Sequence, residues 1–270
     1  MNQDLLTALE RTTVHYQPIV DLDTGAVAGF EALSRIVGAD GKAGSIGPVI
    51  EQIENDPVLL DRLTRRLLGM IRRDMAQLFE RYPGFYVSVN VPPAILGART
   101  ALGEPTMLEI LVEQDLIPCQ DRLVCEITER QALSAQGRAA LALGRQNRIR
   151  LAVDDVGTGH SGVAQILGLT IDILKLDRSQ VVLLTEDVTA ERLVRGIVVL
   201  ASTLRARVVA EGVETAAQAF FLQAAGVDYG QGWFWSPALP PAELPKVLES
   251  GFPHWRRDLV ERLNEARRCT

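Results

Sequence analysis

Two spacings of apolar residues alternate along this chain. Short apolar runs fall at 85–91, 123–127, 150–154, 173–176, 207–210 and 227–231, each bounded by polar or glycine-containing segments. Runs of that length read as strands buried on both faces. Between them the spacing changes to that of helices. Leu193, Ile197, Leu200 and Leu204 form one such stripe within 191–204, and another helix is predicted around 107–114. Thr128 with Gln131, and Thr215 with Gln218, have the spacing of a capping box that opens a helix.

The first third reads differently. Residues 2–11 predict a short amphipathic helix, followed by strands at 14–20 and 26–33. The segment Asp21-Leu22-Asp23-Thr24-Gly25 between the strands is a hairpin-type loop. Polar, glycine-rich residues 38–47 predict a loop. Residues 50–80 predict helix with a break at Asn55-Asp56-Pro57, where Asp56 caps the second piece. At the other end, 255–268 predicts an amphipathic helix with Trp255, Leu259 and Leu263 on one stripe.

Strand then helix, repeated seven or eight times, predicts a parallel sheet. With 270 residues, closure into a (β/α)8 barrel is favoured over an open doubly wound sheet. No GxGxxG follows the first strand, which argues against dinucleotide binding. The early hairpin implies that the first strand runs against the others. The expected architecture is α/β: a modified, TIM-like (β/α)8 barrel with one antiparallel strand. A single domain over 1–270 is expected, with the barrel at about 14–245 and a terminal helix at about 254–268.

Composition narrows the function classes. At 47% hydrophobic and 23% charged residues the chain is globular. A net charge of -6 argues against a surface for nucleic-acid polymers, though not against a small anionic ligand held through metal ions. Cys119, Cys125 and Cys269 are too few and too widely spaced for a disulfide framework or a zinc site, which points to a reducing compartment. Cys125 reads as a core residue. No secretory signal is visible near Met1, and the longest apolar stretch, 196–204, is too short for a membrane span. A cytoplasmic protein without membrane insertion is expected.

The chemistry gathers at strand ends. The strand at 150–154 ends in Asp154 and Asp155, followed by Gly157 and Gly159. Adjacent strand residues point to opposite faces, so both acids reach one site only if the strand breaks there. The pair alone reads equally as a cation cradle or as a polar turn. Glu31, Asn90, Glu126, Lys175, Glu211 and Gln231 stand at the ends of other strands. In a barrel these ends share the face that carries active sites, and charge on buried strands is costly unless paired or bound to metal. The whole set favours a metal site. Carboxylates and an amide oxygen are hard ligands suited to Mg²⁺ or Mn²⁺, and so many acids fit two ions clamping a phosphoryl group.

The motifs run in a recognisable order. They are Tyr16-Gln17-Pro18-Ile19-Val20, Glu31-Ala32-Leu33-Ser34-Arg35, Ser88-Val89-Asn90 and Glu126-Ile127-Thr128-Glu129. Then follow Asp154-Asp155-Val156-Gly157-Thr158-Gly159, Asp172-Ile173-Leu174-Lys175-Leu176-Asp177-Arg178, Ala210-Glu211-Gly212-Val213-Glu214 and Gln231-Gly232. Across about residues 14–240 this resembles the EAL-domain cyclic di-GMP phosphodiesterases.

The resemblance implies hydrolysis of cyclic di-GMP to linear 5′-pGpG with two Mg²⁺ or Mn²⁺ ions per site, and Ca²⁺ as an inhibitory substitute. It implies that Glu31, Asn90, Glu126 and Asp154 hold one metal. Asp154 then bridges to a second, which Asp155 and Glu211 also approach. Lys175 and Glu211 position and activate the attacking water, with Glu31 and Asp155 completing the catalytic set. Gln17, Arg35, Gln231 and Glu214 fall to substrate binding, and Glu129 to anchoring the Asp154–Asp155 loop. A homodimer is implied.

Each role has a plainer counterpart. Glu129 suits the first turn of a helix through the dipole alone, Asn90 could satisfy backbone ahead of Pro92, and Glu214 could serve only its loop. The sequence departs from the family pattern at Val156, His160 and Ile36, where Phe, Tyr and Trp are usual. A non-catalytic cyclic di-GMP receptor is the alternative reading, but such relatives typically lack one of the acids, and here every position is filled.

Overall fold

The structure, a computed structural model, describes residues 3–38, 40–99, 106–128, 133–157, 168–184 and 186–252, together with 254, 255, 258 and 261. Helix α1 (Gln3–Glu10) leads into β1 (Thr12–Asp21) and β2 (Val27–Val37). The turn between the strands is built by Asp21, whose Oδ1 accepts from the N–H groups of Asp23 and Thr24. A short β3 (Ala43–Ser45) precedes α2 (Gly47–Ile53) and the long α3 (Pro57–Arg81). The expected cap is there: the Asp56 side chain accepts from the N–H groups of Val58 and Leu59.

The strand–helix rhythm follows. It runs β4 (Tyr86–Asn90), α4 (Pro93–Gly97), α5 (Thr106–Glu113), β5 (Leu123–Thr128), α6 (Ala135–Gln146) and β6 (Arg150–Val156). It continues with β7 (Ile173–Leu176), α7 (Arg178–Val182), α8 (Val188–Leu204), β8 (Arg207–Ala210), α9 (Ala216–Ala224), β9 (Tyr229–Gly230) and α10 (Leu244–Ser250).

The strands lie in the order β1-β9-β8-β7-β6-β5-β4-β2, and β1 also pairs with β2, which closes a ring of eight; β3 extends β2 outside the ring. As the hairpin predicts, β1 is antiparallel to both neighbours, and the other ring pairs are parallel. The interior below the mouth is filled by Ile19, Tyr86, Val124, Ala152, Ile173 and Val209. Gly29 makes that floor possible, because any Cβ there would come within 2.8 Å of the Tyr86 ring.

Outside the ring, α3 buries Leu60, Leu63, Leu68, Ile71 and Met75 at helical spacing. Each such side chain contributes about 1.5–3 kcal/mol. Tyr16 reaches out from β1 and its hydroxyl donates to Asp74 on α3 at 2.9 Å. Arg122 ties the end of α3 to β5 by donating to the carbonyls of Phe79, Tyr82 and Phe85 while lying over the Phe79 and Phe85 rings. No described helix is long and apolar enough to cross a membrane.

Several expectations need correcting. The second strand does not end at residue 33: β2 continues to Val37 because it pairs with β1 on one side and β3 on the other, with Arg35 opposite Thr13 and Ser45. The predicted loop at 38–47 therefore contains a strand. Thr128 ends β5, paired with Asp154, and residues 129–132, where its helix is expected to open and where its proposed partner Gln131 stands, lie outside the described residues; among those described, Ser134 caps α6 by accepting from the N–H of Gly137. The buried stripe of α8 is Ala190, Val194, Ile197 and Ala201, with Leu193 exposed; small alanines let the helix sit close to the sheet, which a stripe of large residues does not reveal. Of the terminal stripe, Trp255 is fully buried, while Leu259 and Leu263 lie outside the described residues.

Candidate active site

Alternation along the ring strands turns Gln17, Glu31, Asn90, Glu126, Asp154 and Lys175 into the barrel, one layer above its apolar floor. Parallel pairing keeps them level: Glu31 lies opposite Ser88, and Asn90 opposite Glu126. Glu211 follows β8 directly, its N–H donating to the Leu176 carbonyl at 3.0 Å. Gln231 follows β9 in the same way, donating to the Ala210 carbonyl at 2.8 Å.

The acids converge on Lys175. Its Nζ stands 2.9 Å from Glu126 Oε2, 2.5 Å from Glu211 Oε1, 3.6 Å from Glu31 Oε1 and 3.7 Å from Asp154 Oδ1. Four strands thus each deliver one carboxylate to one ammonium, and Lys175 and Glu126 are each only 1% exposed. Among the described residues, no three acids, thiols or imidazoles are already spaced to grip an ion; the lysine occupies the centre.

The electrostatics show a cluster short of positive charge. Burial raises the pKa of Glu126 to about 8, against the opposing pull of Lys175, with Glu31 and Asp154 adding to the rise. Glu211 is raised to about 8 in the same manner, and Asp154 is also raised, by burial first. Burial disfavours the charge on Lys175, but Glu126, Glu31, Glu211 and Asp154 together outweigh it and hold its pKa well above the ordinary value. One buried amide oxygen, Gln231 Oε1, accepts no hydrogen bond. An all-oxygen donor set with surplus negative charge fits hard divalent cations.

An amide chain supports the set. Glu31 accepts from Asn90 Nδ2 at 3.1 Å and from Gln231 Nε2 at 2.6 Å. Gln231 Nε2 also meets Gln17 Oε1 at 3.1 Å, and Gln17 donates in turn to the Ser236 carbonyl at 3.2 Å.

The break at the paired aspartates is real and unusual. Asp155, not a glycine, takes a left-handed φ of 59°, and the register between β6 and β7 shifts between Val153 and Val156. The Asp155 N–H donates to Asp154 Oδ1 at 2.9 Å. Gln180 on α7 holds the turn from behind, donating to the Val156 carbonyl at 2.8 Å. Nothing in the sequence marks Gln180, beyond its place just after the Asp177-Arg178 motif.

Arg35 lines a cavity of about 350 Å³ together with Asn90 and Glu126, walled by Ile46, Ile50 and Leu63. A larger cavity of about 540 Å³ lies behind β5 and β6 against α5 and α6, and touches none of these acids. Glu214 stands at the rim, paired with Arg178 at 2.7 Å. Glu129 and His160 lie outside the described residues.

Comparison with known proteins agrees with this geometry. The family model described as "EAL domain" matches residues 2–238. The chain is 33% identical over 240 residues to the "Probable cyclic di-GMP phosphodiesterase PdeB" of Escherichia coli (strain K12), covering 87% of this chain and 44% of PdeB. It thus spans about half or less of the curated relatives it matches. Among solved structures, the PaMucR phosphodiesterase in complex with c-di-GMP superposes with a TM-score of 0.78 at 28% identity, over 89% of this chain and 98% of that one. Klebsiella pneumoniae BlrP1, solved with c-di-GMP and either calcium or manganese, gives 0.70 at 26% identity, over 85% of this chain and 56% of that one.

Proposed function

The chain belongs to the EAL domain family, and we propose on that premise that it is a metal-dependent phosphodiesterase that hydrolyses cyclic di-GMP to linear 5′-pGpG. The observation that carries this reading is the convergence of Glu31, Glu126, Asp154 and Glu211 from four strands on one point of the barrel mouth. A binding protein has no need of so much buried acid, because burying it unpaired is expensive.

Glu31, Asn90, Glu126 and Asp154 would hold one Mg²⁺ or Mn²⁺, and Asp154, Asp155 and Glu211 a second. When bound, the ions lower the pKa of a coordinated water and neutralise charge on the phosphoryl oxygens. The chain's own groups do the rest. Lys175 Nζ, freed from part of its carboxylate load, orients the attacking water. A Glu211 carboxylate oxygen takes its proton. The water oxygen bonds to phosphorus, the bond from phosphorus to the 3′ oxygen breaks, and that oxygen leaves as a hydroxyl after taking a proton from solvent water, while the proton on Glu211 returns to solvent. The product keeps a 5′-phosphate. Arg35 steadies the substrate phosphate, and Gln17 and Gln231 hold Glu31 in place through the amide chain. Pairing of two copies, implied by the family pattern, belongs to the same proposal.

The test is chromatography of cyclic di-GMP after incubation with the protein in Mg²⁺, Mn²⁺, Ca²⁺ or a chelator. Formation of pGpG is expected with the first two only. Ca²⁺ prefers longer bonds and looser coordination than Mg²⁺ and leaves the water poorly placed. Binding without product in Mg²⁺ or Mn²⁺ overturns the enzyme and leaves the receptor.

A further inference from the structure

Asp155 stands in a backbone conformation that few residues with a side chain adopt. Its φ is 59°, and Gly157, two residues on, has φ 87°. Along β6 and β7, Val153 pairs with Leu174 and Val156 with Leu176, so Asp154 and Asp155 together fall opposite the single residue Lys175. Two residues against one make a bulge, which bends a strand and re-aims its side chains. Here it lets two successive acids serve one site. A left-handed residue of this kind persists only where its surroundings over-determine it. In front, the Asp155 N–H donates to Asp154 Oδ1 at 2.9 Å, but that carboxylate is also a candidate metal ligand.

The hold from behind comes from Gln180. Its Nε2 donates to the Val156 carbonyl, one residue past Asp155, at 2.8 Å. The amide lies against Gly157, where any Cβ would stand 2.8 Å from Nε2 and push it off. Gln180 is 6% exposed, and its other amide atom, Oε1, is buried without a hydrogen bond. Burying an acceptor unpaired costs stability, and an apolar side chain of the same length avoids that cost. Gln180 is thus a poor choice for packing and a good one for holding a carbonyl.

The clamp rests on a fixed element. α7 opens directly after β7, so Gln180 lies five residues past Lys175. Asp177 caps α7 by accepting from the Ser179 N–H at 2.9 Å, and the Gln180 N–H donates to the Asp177 carbonyl at 3.0 Å. From the other side, Gln218 on α9 donates to the Val181 carbonyl at 3.3 Å. The same strand and helix therefore deliver the lysine at the centre of the acids and the amide behind their turn.

We infer that Gln180 is the positioning residue for the second metal ion: by fixing the Val156 carbonyl, it keeps the turn in the form that lets Asp154 and Asp155 share one ion. This rests on the two-ion reading of the site. The first ion draws on Glu31, Asn90 and Glu126, which their strands place without help from Gln180. The second depends on the turn. Groups that orient a ligand from behind set metal affinity, and losing one typically weakens binding roughly 10- to 100-fold.

The experiment counts bound metal. The whole chain, stripped of metal, is titrated with Mn²⁺ while electron paramagnetic resonance reads the free ion. Two binding steps are expected in the wild type. Gln180→Met keeps the length and loses the donor, and Gln180→Asn keeps the amide but is one carbon too short. Each should weaken the second step roughly 10- to 100-fold and leave the first within about twofold. Melting of Gln180→Met in a chelator should stay near wild type, since the unpaired oxygen leaves with the donor. The Mg²⁺ concentration for half-maximal cleavage of cyclic di-GMP should rise by more than kcat falls. Unchanged Mn²⁺ binding in both variants overturns the inference and leaves the proposed function standing. Equal weakening of both steps, accompanied by lower melting temperatures, overturns it in favour of a merely structural role. A wild type that takes up one Mn²⁺ or none overturns the two-ion reading and the inference with it.

Discussion

Replacing Lys175 with methionine tests the electrostatic account of the site without any substrate. The side chains are similar in length, so packing changes little and the main loss is one charge. In the metal-free protein that charge is the sole cation within 4 Å of Glu31, Glu126, Asp154 and Glu211 among the described residues. Removing one partner of a buried ion pair costs about 3–5 kcal/mol. At roughly 2–4 °C per kcal/mol for a chain near this size, the melting temperature should fall by about 6–20 °C.

The acids have a way to escape part of that loss, which is to stay protonated. Glu126 and Glu211 already sit at about 8, with burial the main cause. An acid with a raised folded pKa binds its proton more tightly folded than unfolded. The stability it contributes is complete below its ordinary value near 4.5 and is lost as pH rises toward 8. Without Lys175 that loss extends to still higher pH. Melting in a chelator should therefore show a small deficit for Lys175→Met near pH 6 and the full deficit near pH 9. Added Mg²⁺ or Mn²⁺ should recover more stability in the variant than in the wild type, because divalent charge replaces the missing ammonium. Equal melting of variant and wild type at pH 9 in the chelator would falsify the idea that Lys175 holds the acids together.

Three other outcomes are expected. Glu31→Ala should lower turnover of cyclic di-GMP by at least about 100-fold with a melting temperature near wild type, since removing a group that acts in the transition state lowers kcat itself; near wild-type turnover at saturating Mg²⁺ would refute its role as a ligand. Gly29→Ala should destabilise by about 1–3 kcal/mol through overpacking against the Tyr86 ring, read by urea denaturation, and an unchanged midpoint would mean that the ring moves aside freely. Arg122→Met should cost at least about 2 kcal/mol, because three carbonyl hydrogen bonds from one cation are lost, again read by denaturation.

The barrel and its acids were legible for one physical reason. A buried strand tolerates charge only where the charge is answered, so Glu31, Glu126, Asp154 and Lys175 inside apolar runs announced a site before any contact was known. The strand–helix rhythm and the early hairpin gave closure and the direction of β1. What stayed hidden depends on spacing across the ring. Gln180 supports the Asp154–Asp155 turn from helix α7, more than twenty residues further along the chain. The short α4 and α10 carry too few turns for a periodic pattern. Arg35 fell outside the expected strand because that strand was ended at Leu33, ahead of two polar residues, while β3, which holds the extension, consists only of exposed residues.

The antiparallel first strand is more than a variation on the barrel. Seven ring strands point their C-terminal ends at the mouth, and side chains placed there must come from the last residues of each strand or from the loops beyond. The first strand runs the other way, so it presents its earlier residues at that level. Gln17 lies directly opposite Glu31 in register and between β2 and β9 in the ring. From that place it joins Gln231 to the Ser236 carbonyl, and Gln231 in turn grips Glu31. Had β1 run parallel, mid-strand residues would still face inward, but the short hairpin linking it to β2 would be impossible, since parallel neighbours need a long crossover. The hairpin thus fixes Glu31 between a rigid neighbour and the amide chain at once. The expected consequence is that Gln17 acts through Glu31: its loss loosens one metal ligand while leaving the other three acids in place.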